Sequence, residues 1–467
     1  MHTQKYFLHA LVVSTTILFS ACKKDTPVPT TALVLPATPV VDPANVIKDS
    51  ALFYTRDVYL WNTQVPSSFD ARGYADPSAM MTAIHPYSTE PGFSSPVDRW
   101  SFAMKKTEWD QLSSGLNVVA GTTSAAGDLG LSVFFRIEGD LRVSLVEPNS
   151  PAGLAGIHRG WRIIEINNST NITTANASFI IDNIYNATSS SITFQKPDGS
   201  TQTIPLQAAH YQGKPVYLDT VYNINNKKTG YLVFNSFLGD ENKIYSEFQR
   251  VFSRFAAENI SNLVVDLRYN GGGYVSVQKK LADYIAATSA DGGIMMKQIY
   301  NSGNSANNET TLFHKTGGLN LSSVYFIVSK STASASELLI NNLKPYMDVK
   351  LVGAGTNATH GKPVGFFPIP VGEWYIFPVS FRTINKNGEG NYFNGLPVNA
   401  SVADGLDKDW GDRTEASLAS TLNHIVSGNF RVNNLPAFKE EIPITKGNVW
   451  LGNHQLKSMI GTYKKLK

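Results

Sequence analysis

Cysteine is almost missing from this sequence: Cys22 is the only one in 467 residues. An intrachain disulfide and a cysteine-built zinc site are therefore excluded. Charge is sparse, at 16% of residues, and nearly balanced, with a net of +3. No Lys/Arg-rich run interleaves with aromatics, so no nucleic-acid partner is expected. No stretch, the apolar leader included, is long and apolar enough to span a bilayer. No internal repeat is evident. Several catalytic templates are absent too: there is no G-x-S-x-G elbow and no H-E-x-x-H pair. Gly361-Lys362 is followed by Pro363, and Thr356 stands where the first P-loop glycine belongs, which argues against nucleotide binding through that lysine. Asp404, Asp407, Asp409 and Asp412 lack EF-hand spacing and read as a solvated loop.

What is present is a globular chain, 42% hydrophobic and long enough for two to three domains. Lys5 and the mostly apolar run Phe7 to Ser20 have the form of a secretion signal. Leu18-Phe19-Ser20-Ala21-Cys22 resembles a bacterial lipobox, in which the cysteine becomes the acylated first residue of the mature protein. The expectation is a signal peptide over 1–21 and a lipid on Cys22, holding the protein on a membrane of the bacterial cell envelope. Pro27, Pro29, Pro36, Pro39 and Pro43 mark 22–46 as an extended tether.

Residues 47–110 read as a small helical cap, with apolar patches at Leu52, Phe53, Val58, Tyr59, Leu60 and Trp61 and again at Met80, Met81 and Ile84. Residues 111–208 change to short strands and turns. Within them, Ser150-Pro151-Ala152-Gly153-Leu154 through Gly160-Trp161-Arg162-Ile163-Ile164-Glu165-Ile166-Asn167 resembles a PDZ domain. The resemblance implies binding of peptide C-termini by strand addition, with the carboxylate held by backbone N–H groups of Gly130, Leu131, Ser132 and Val133.

From 209 to 425, strands and helices alternate: Gly230–Phe234, Ile244–Phe255, Leu263–Leu267, Val275–Ala286, Val324–Val328, Ser334–Leu343 and Val349–Val352. That pattern predicts an α/β catalytic core, a mixed sheet with flanking helices. Residues 426–467 read as a poorly patterned tail. Three segments carry chemistry. Asp266-Leu267-Arg268-Tyr269-Asn270-Gly271-Gly272-Gly273 puts three glycines between a strand and a helix, exposing N–H groups to an anionic ligand. Ser331-Thr332-Ala333-Ser334-Ala335-Ser336-Glu337 puts a serine at a helix start, where orphan N–H groups favour negative charge, although Ser334-x-x-Glu337 is also a capping box. His360-Gly361-Lys362-Pro363 follows a strand.

In this order, behind a PDZ-like domain, the three segments resemble the C-terminal processing or tail-specific family of serine peptidases. The resemblance implies that Ser334 is the nucleophile and Lys362 its general base. It gives the oxyanion contacts to the backbone N–H groups of Gly272 and Ala335. It implies peptide or unfolded-protein substrates and no metal or other cofactor. One departure stands out: where bacterial members often carry a glutamine that orients the lysine, this chain has Phe366. The rival reading is a non-catalytic peptide-binding scaffold on the same fold. His360 reads as a loop residue rather than an orienting group.

Overall fold

The computed structural model describes residues 42–114, 127–432, 445–446, 449–450 and 458–461. Cys22 and the leader lie outside them. The first helix, Pro43–Val58, begins within the expected tether, because Asp42 caps it through the Ala44 N–H at 3.0 Å and Pro43 takes the first position, where no N–H is needed. A shorter helix, Pro77–Ala83, follows under the same Asp-Pro start. The strand Phe102–Lys105 pairs antiparallel with Trp374–Phe377. Tyr59, Trp61, Met80, Met81 and Ile84 bury themselves with Val364, Phe366, Ile369 and Phe377. The N-terminal helices thus share one core with the chain just past Lys362. The helix Lys106–Ser113 runs across the expected boundary at 110, and its Trp109 belongs to this same cluster.

A five-stranded antiparallel sheet comes next, built in sequence order from Leu131–Ile137, Asp140–Val146, Arg162–Ile166, Ser189–Gln195 and Thr201–Gln207. The helices Pro151–Leu154 and Ala177–Ile184 accompany it. Val133, Phe135, Val143, Ile163, Ile180, Ile181 and Phe194 form its own core.

The largest sheet has six strands in the order Ala400–Ser401, Asp348–Gly353, Ser323–Ile327, Asn262–Asp266, Lys227–Phe234 and Val216–Ile224. All are parallel to their neighbours except the last. Both faces are covered, as parallel sheets require. Period-two alternation sends Leu232, Phe234, Leu263, Val265, Val324 and Phe326 to one face, against Phe248, Val251, Leu281, Ile285 and Leu339 of three helices. Tyr231, Val233, Val264, Tyr325 and Ile327 go to the other, against Leu418, Leu422 and Ile425 of the helix Ala416–Ser427. The helix Glu241–Ala257 shows why the sequence was readable here. Asp240 caps it through Asn242 and Lys243, and Ile244, Phe248, Val251, Phe252 and Phe255 fall on one stripe.

A further sheet of four short strands, Glu309–Leu312, Ile294–Tyr300, Phe381–Ile384 and Val364–Gly365, was not anticipated. Its strands are two to seven residues long, too short for alternation to stand out.

Candidate active site

Asn262–Asp266, Ser323–Ile327 and Asp348–Gly353 are neighbours, parallel and in register, with Asp266 beside Ile327 and Ile327 beside Val352. Their carboxyl ends therefore open onto one crevice, where ligands of α/β sheets bind. The glycine loop leaves the first strand, the serine loop the second and the Gly361-Lys362 segment the third. Topology thus brings together segments up to about a hundred residues apart in sequence.

The glycine loop is pinned from below. The buried Arg268 guanidinium bonds the Asp266 and Glu415 carboxylates at 2.7 and 3.0 Å and lies 3.1 Å from Asp404. Asn270 ties the loop to its neighbours. Its side-chain N–H donates to the Phe234 carbonyl at 3.0 Å, and its own carbonyl accepts from the Ala333 N–H at 3.1 Å and the Ser336 hydroxyl at 3.0 Å. Gly273 must be glycine: with φ at +144°, a Cβ there would stand 2.3 Å from the Phe237 backbone.

Ser334 caps the helix Ala335–Leu343 in a conformation few residues adopt, with φ 61° and ψ −111°. Such strain costs on the order of 1–3 kcal/mol and persists only where the surroundings impose it. They do so through Glu337. Its carboxylate accepts the Ser334 N–H at 2.8 Å, the Lys362 N–H at 2.8 Å and the Gly361 N–H at 2.6 Å. Capping-box spacing is kept, but the buried Ser334 Oγ makes no side-chain cap bond and has no hydrogen-bond partner among the described residues. A buried hydroxyl left unused by the fold is available for chemistry. Burial pushes the Glu337 carboxyl up, and bonds from Thr359 and the three N–H groups pull it back.

Lys362 is fully buried. Its Nζ sits 3.9 Å over the centre of the Phe366 ring and 5.8 Å from that of Trp100. Desolvation drives its pKa well below the ordinary lysine value and outweighs the Asp98 and Glu337 charges that favour the ammonium. The aromatic that stands where a glutamine was expected is part of the packing that buries the amine. Asp98 is itself fixed by the Tyr59 and Ser101 hydroxyls at 2.8 and 2.6 Å. Trp100 donates its indole N–H to His360 Nε2 at 2.9 Å, and Arg99 donates to the His360 carbonyl at 3.0 Å. His360 is therefore engaged with the N-terminal segment.

The oxyanion assignment meets a difference. The Gly272 N–H donates to the Asn270 side-chain oxygen at 2.9 Å, so in this structure that donor is committed within the loop. Ala335 is the first residue of its helix, where N–H groups lack an intrahelical acceptor.

Gly130, Leu131 and Ser132 line a separate cavity of about 660 Å³, together with Ile184, Tyr185 and Leu238. Val133 follows on the same strand, but two of the four expected carboxylate donors are used inside the fold. The Gly130 N–H bonds the Asp128 carboxylate at 2.7 Å, and the Val133 N–H bonds the Tyr185 hydroxyl at 3.0 Å.

The sequence reading singled out Ser334, Lys362 and the glycine loop, and the structure sets all three segments at the carboxyl ends of neighbouring strands. That reading took Glu337 for a cap alone and missed Asp98, Trp100 and the struts from Asn270. The Glu337 role had a signal in its spacing from Ser334. The Asp98 role had none, since its partner is far along the chain.

Residues 228–391, which contain all three segments, match the model of peptidase family S41. Among solved structures, a candidate S41 protease from Bacteroides fragilis is 22% identical, over 81% of this chain and 97% of its own, with a TM-score of 0.64. The photosystem II D1 C-terminal processing protease is 17% identical over 78% of this chain and 94% of its own, with a TM-score of 0.48. A search of curated proteins finds no match. The first of these structures supports the fold, a mixed α/β architecture.

Proposed function

We propose that this chain, whose residues 228–391 match the model of peptidase family S41, is an ATP-independent serine endopeptidase using Ser334 and Lys362. The carrying observation is the pair itself. A strained serine with an unused hydroxyl and a buried lysine of depressed pKa are both anchored on Glu337. A serine needs a base, and a lysine can serve only when neutral near the working pH. Ser334 Oγ attacks the scissile carbonyl as its proton passes to Lys362 Nζ. The tetrahedral intermediate collapses, the C–N bond breaks and the ammonium returns the proton to the leaving amine. Water then hydrolyses the serine ester, with Lys362 again taking and returning a proton. The Ala335 N–H stabilises the oxyanion, and the Gly272 N–H joins it if the Asn270 contact is released. Each such donor is worth roughly 3–4 kcal/mol.

The substrate class in this proposal is peptides or unfolded proteins, recruited by the PDZ-like domain of residues 111–208. The cavity bounded by Leu131 and Ser132 at the start of the first strand, by Ile184 and Tyr185, and by residues 235–247 supports that role. It is lined by Leu131, Leu145, Ile184 and Leu238, which fit apolar side chains of an extended peptide. The proposal also sets the protein at the bacterial envelope, held by a lipid on Cys22, a reading supported by the lipobox-like Leu18 to Cys22. The committed Gly272 N–H favours one rival, a peptide-binding scaffold without turnover. The test is incubation of purified soluble chain with an unfolded protein, beside Ser334→Ala. Cleavage that depends on Ser334 supports the peptidase; binding without cleavage in either chain supports the scaffold.

A further inference from the structure

The expected featureless tail contains a strand in a telling place. Ser458–Ile460 runs parallel to Gly272–Tyr274, with Gly272 beside Ser458, Gly273 beside Met459 and Tyr274 beside Ile460. On its other side Ile460 bridges Phe366 in the parallel sense, and the Gly461 N–H donates to the Phe366 carbonyl at 2.9 Å. The strand also packs against the helix Ala335–Leu343. Its walls are thus the end of the glycine loop, the residue four past Lys362 and the helix that Ser334 caps. Ser334 and Lys362 are both fully buried beside it, and Gly272, in the paired strand, has its N–H turned to Asn270.

We infer that Ser458–Gly461 lies where an extended substrate peptide lies, and competes with substrate from within the chain. The inference rests on the peptidase reading of Ser334 and Lys362. The physical case is one of shape and ladder. An extended peptide reaching Ser334 must find backbone partners, and Gly272–Tyr274 at the end of the glycine loop and Phe366, four residues past Lys362, offer two edges. Those two edges are the ones the segment uses. Its Ile460 side chain is 3% exposed and joins the cluster of Val364, Phe366 and Phe377, as a substrate side chain would in an apolar subsite. A nucleophile and base without solvent exposure cannot meet a substrate until something leaves, and this segment is the piece between two edges. A tethered occupant acts at an effective concentration on the order of mM, so an intrinsic Kd of about 100 µM would leave the slot roughly 90% closed.

The test compares the full chain, a chain ending at residue 453, and full-length Ile460→Asp, which places a charge where the strand is buried. Two readouts are used: cleavage of an unfolded protein, and binding of a fluorescein-labelled synthetic peptide of residues 454–464 to each form carrying Ser334→Ala. Both altered chains are expected to cleave about tenfold faster than the parent. The labelled peptide is expected to bind them about tenfold more tightly than the full chain, and unlabelled peptide to raise KM with kcat unchanged. Equal cleavage by all three forms with no peptide binding overturns the inference and leaves the peptidase reading standing. Peptide binding to the shortened chain without cleavage by any form keeps the slot and removes the peptidase. Loss of folded protein in both altered chains also overturns it, because a segment the fold requires is not a displaceable occupant.

Discussion

The backbone nitrogens of Ser334 and Lys362 donate to the same carboxylate oxygen of Glu337, each at 2.8 Å. One buried side chain therefore sets the spacing of Ser334 and Lys362, the proposed nucleophile and base, and holds Ser334 in its strained conformation as it does so. Glu337→Ala strands three buried N–H groups and should lower unfolding free energy by about 3–5 kcal/mol, read from the urea midpoint. Glu337→Gln keeps an acceptor oxygen and should retain more stability than Glu337→Ala while still losing turnover. Equal stability of the two variants would remove the clamp role.

The depressed pKa of Lys362 has two signs to check. In the proposed mechanism turnover needs the neutral amine, so kcat should rise with pH through a value well below that of an ordinary lysine. Stability rises in the same direction. Between the folded pKa and about 10.4 the unfolded chain binds the extra proton, so the folded state loses stability as pH falls through that window. Lys362→Met should therefore abolish turnover yet raise stability at neutral pH by roughly 1–2 kcal/mol. Lys362→Arg should not rescue, since a guanidinium stays charged. A Lys362→Met chain less stable than the parent at neutral pH would show that the lysine is held charged.

Phe366 replaces a polar partner with a ring 3.9 Å from the amine. Phe366→Gln should move the rising limb of the pH–rate profile to higher pH, because a polar amide favours the ammonium. An unmoved limb would mean that Phe366 only packs.

Ser336 is less idle than its place within the helix suggests. Its hydroxyl donates to the Asn270 carbonyl at 3.0 Å, joining the glycine loop to the helix that Ser334 caps. Ser336→Ala should cost about 1 kcal/mol of stability, measured by denaturant titration, and lower kcat only modestly.

Much of this was legible in the sequence. The long helix from Glu241 and the buried strands Asn262–Asp266 and Ser323–Ile327 announced themselves by periodicity and length. Ser334 and Lys362 stood out by motif, and their segments follow two neighbouring parallel strands. What was not legible depends on distance in the chain. No local pattern says that Asp98 faces Lys362, that Trp100 reaches His360, or that Ile460 bridges Phe366. The short strand Val364–Gly365 exists because partners meet it, and it carries no propensity signal of its own. Nor did the glycine motif reveal that the Gly272 N–H is held by its neighbour Asn270.

The most direct measurement is the rate at which purified chain, with and without residues 454–467, cleaves an unfolded protein, compared with the same chains carrying Ser334→Ala. The account predicts cleavage by the parent residues and a loss of at least about a thousandfold on Ser334→Ala, since members of a catalytic unit fail together. Cleavage by Ser334→Ala at the parent rate would contradict it.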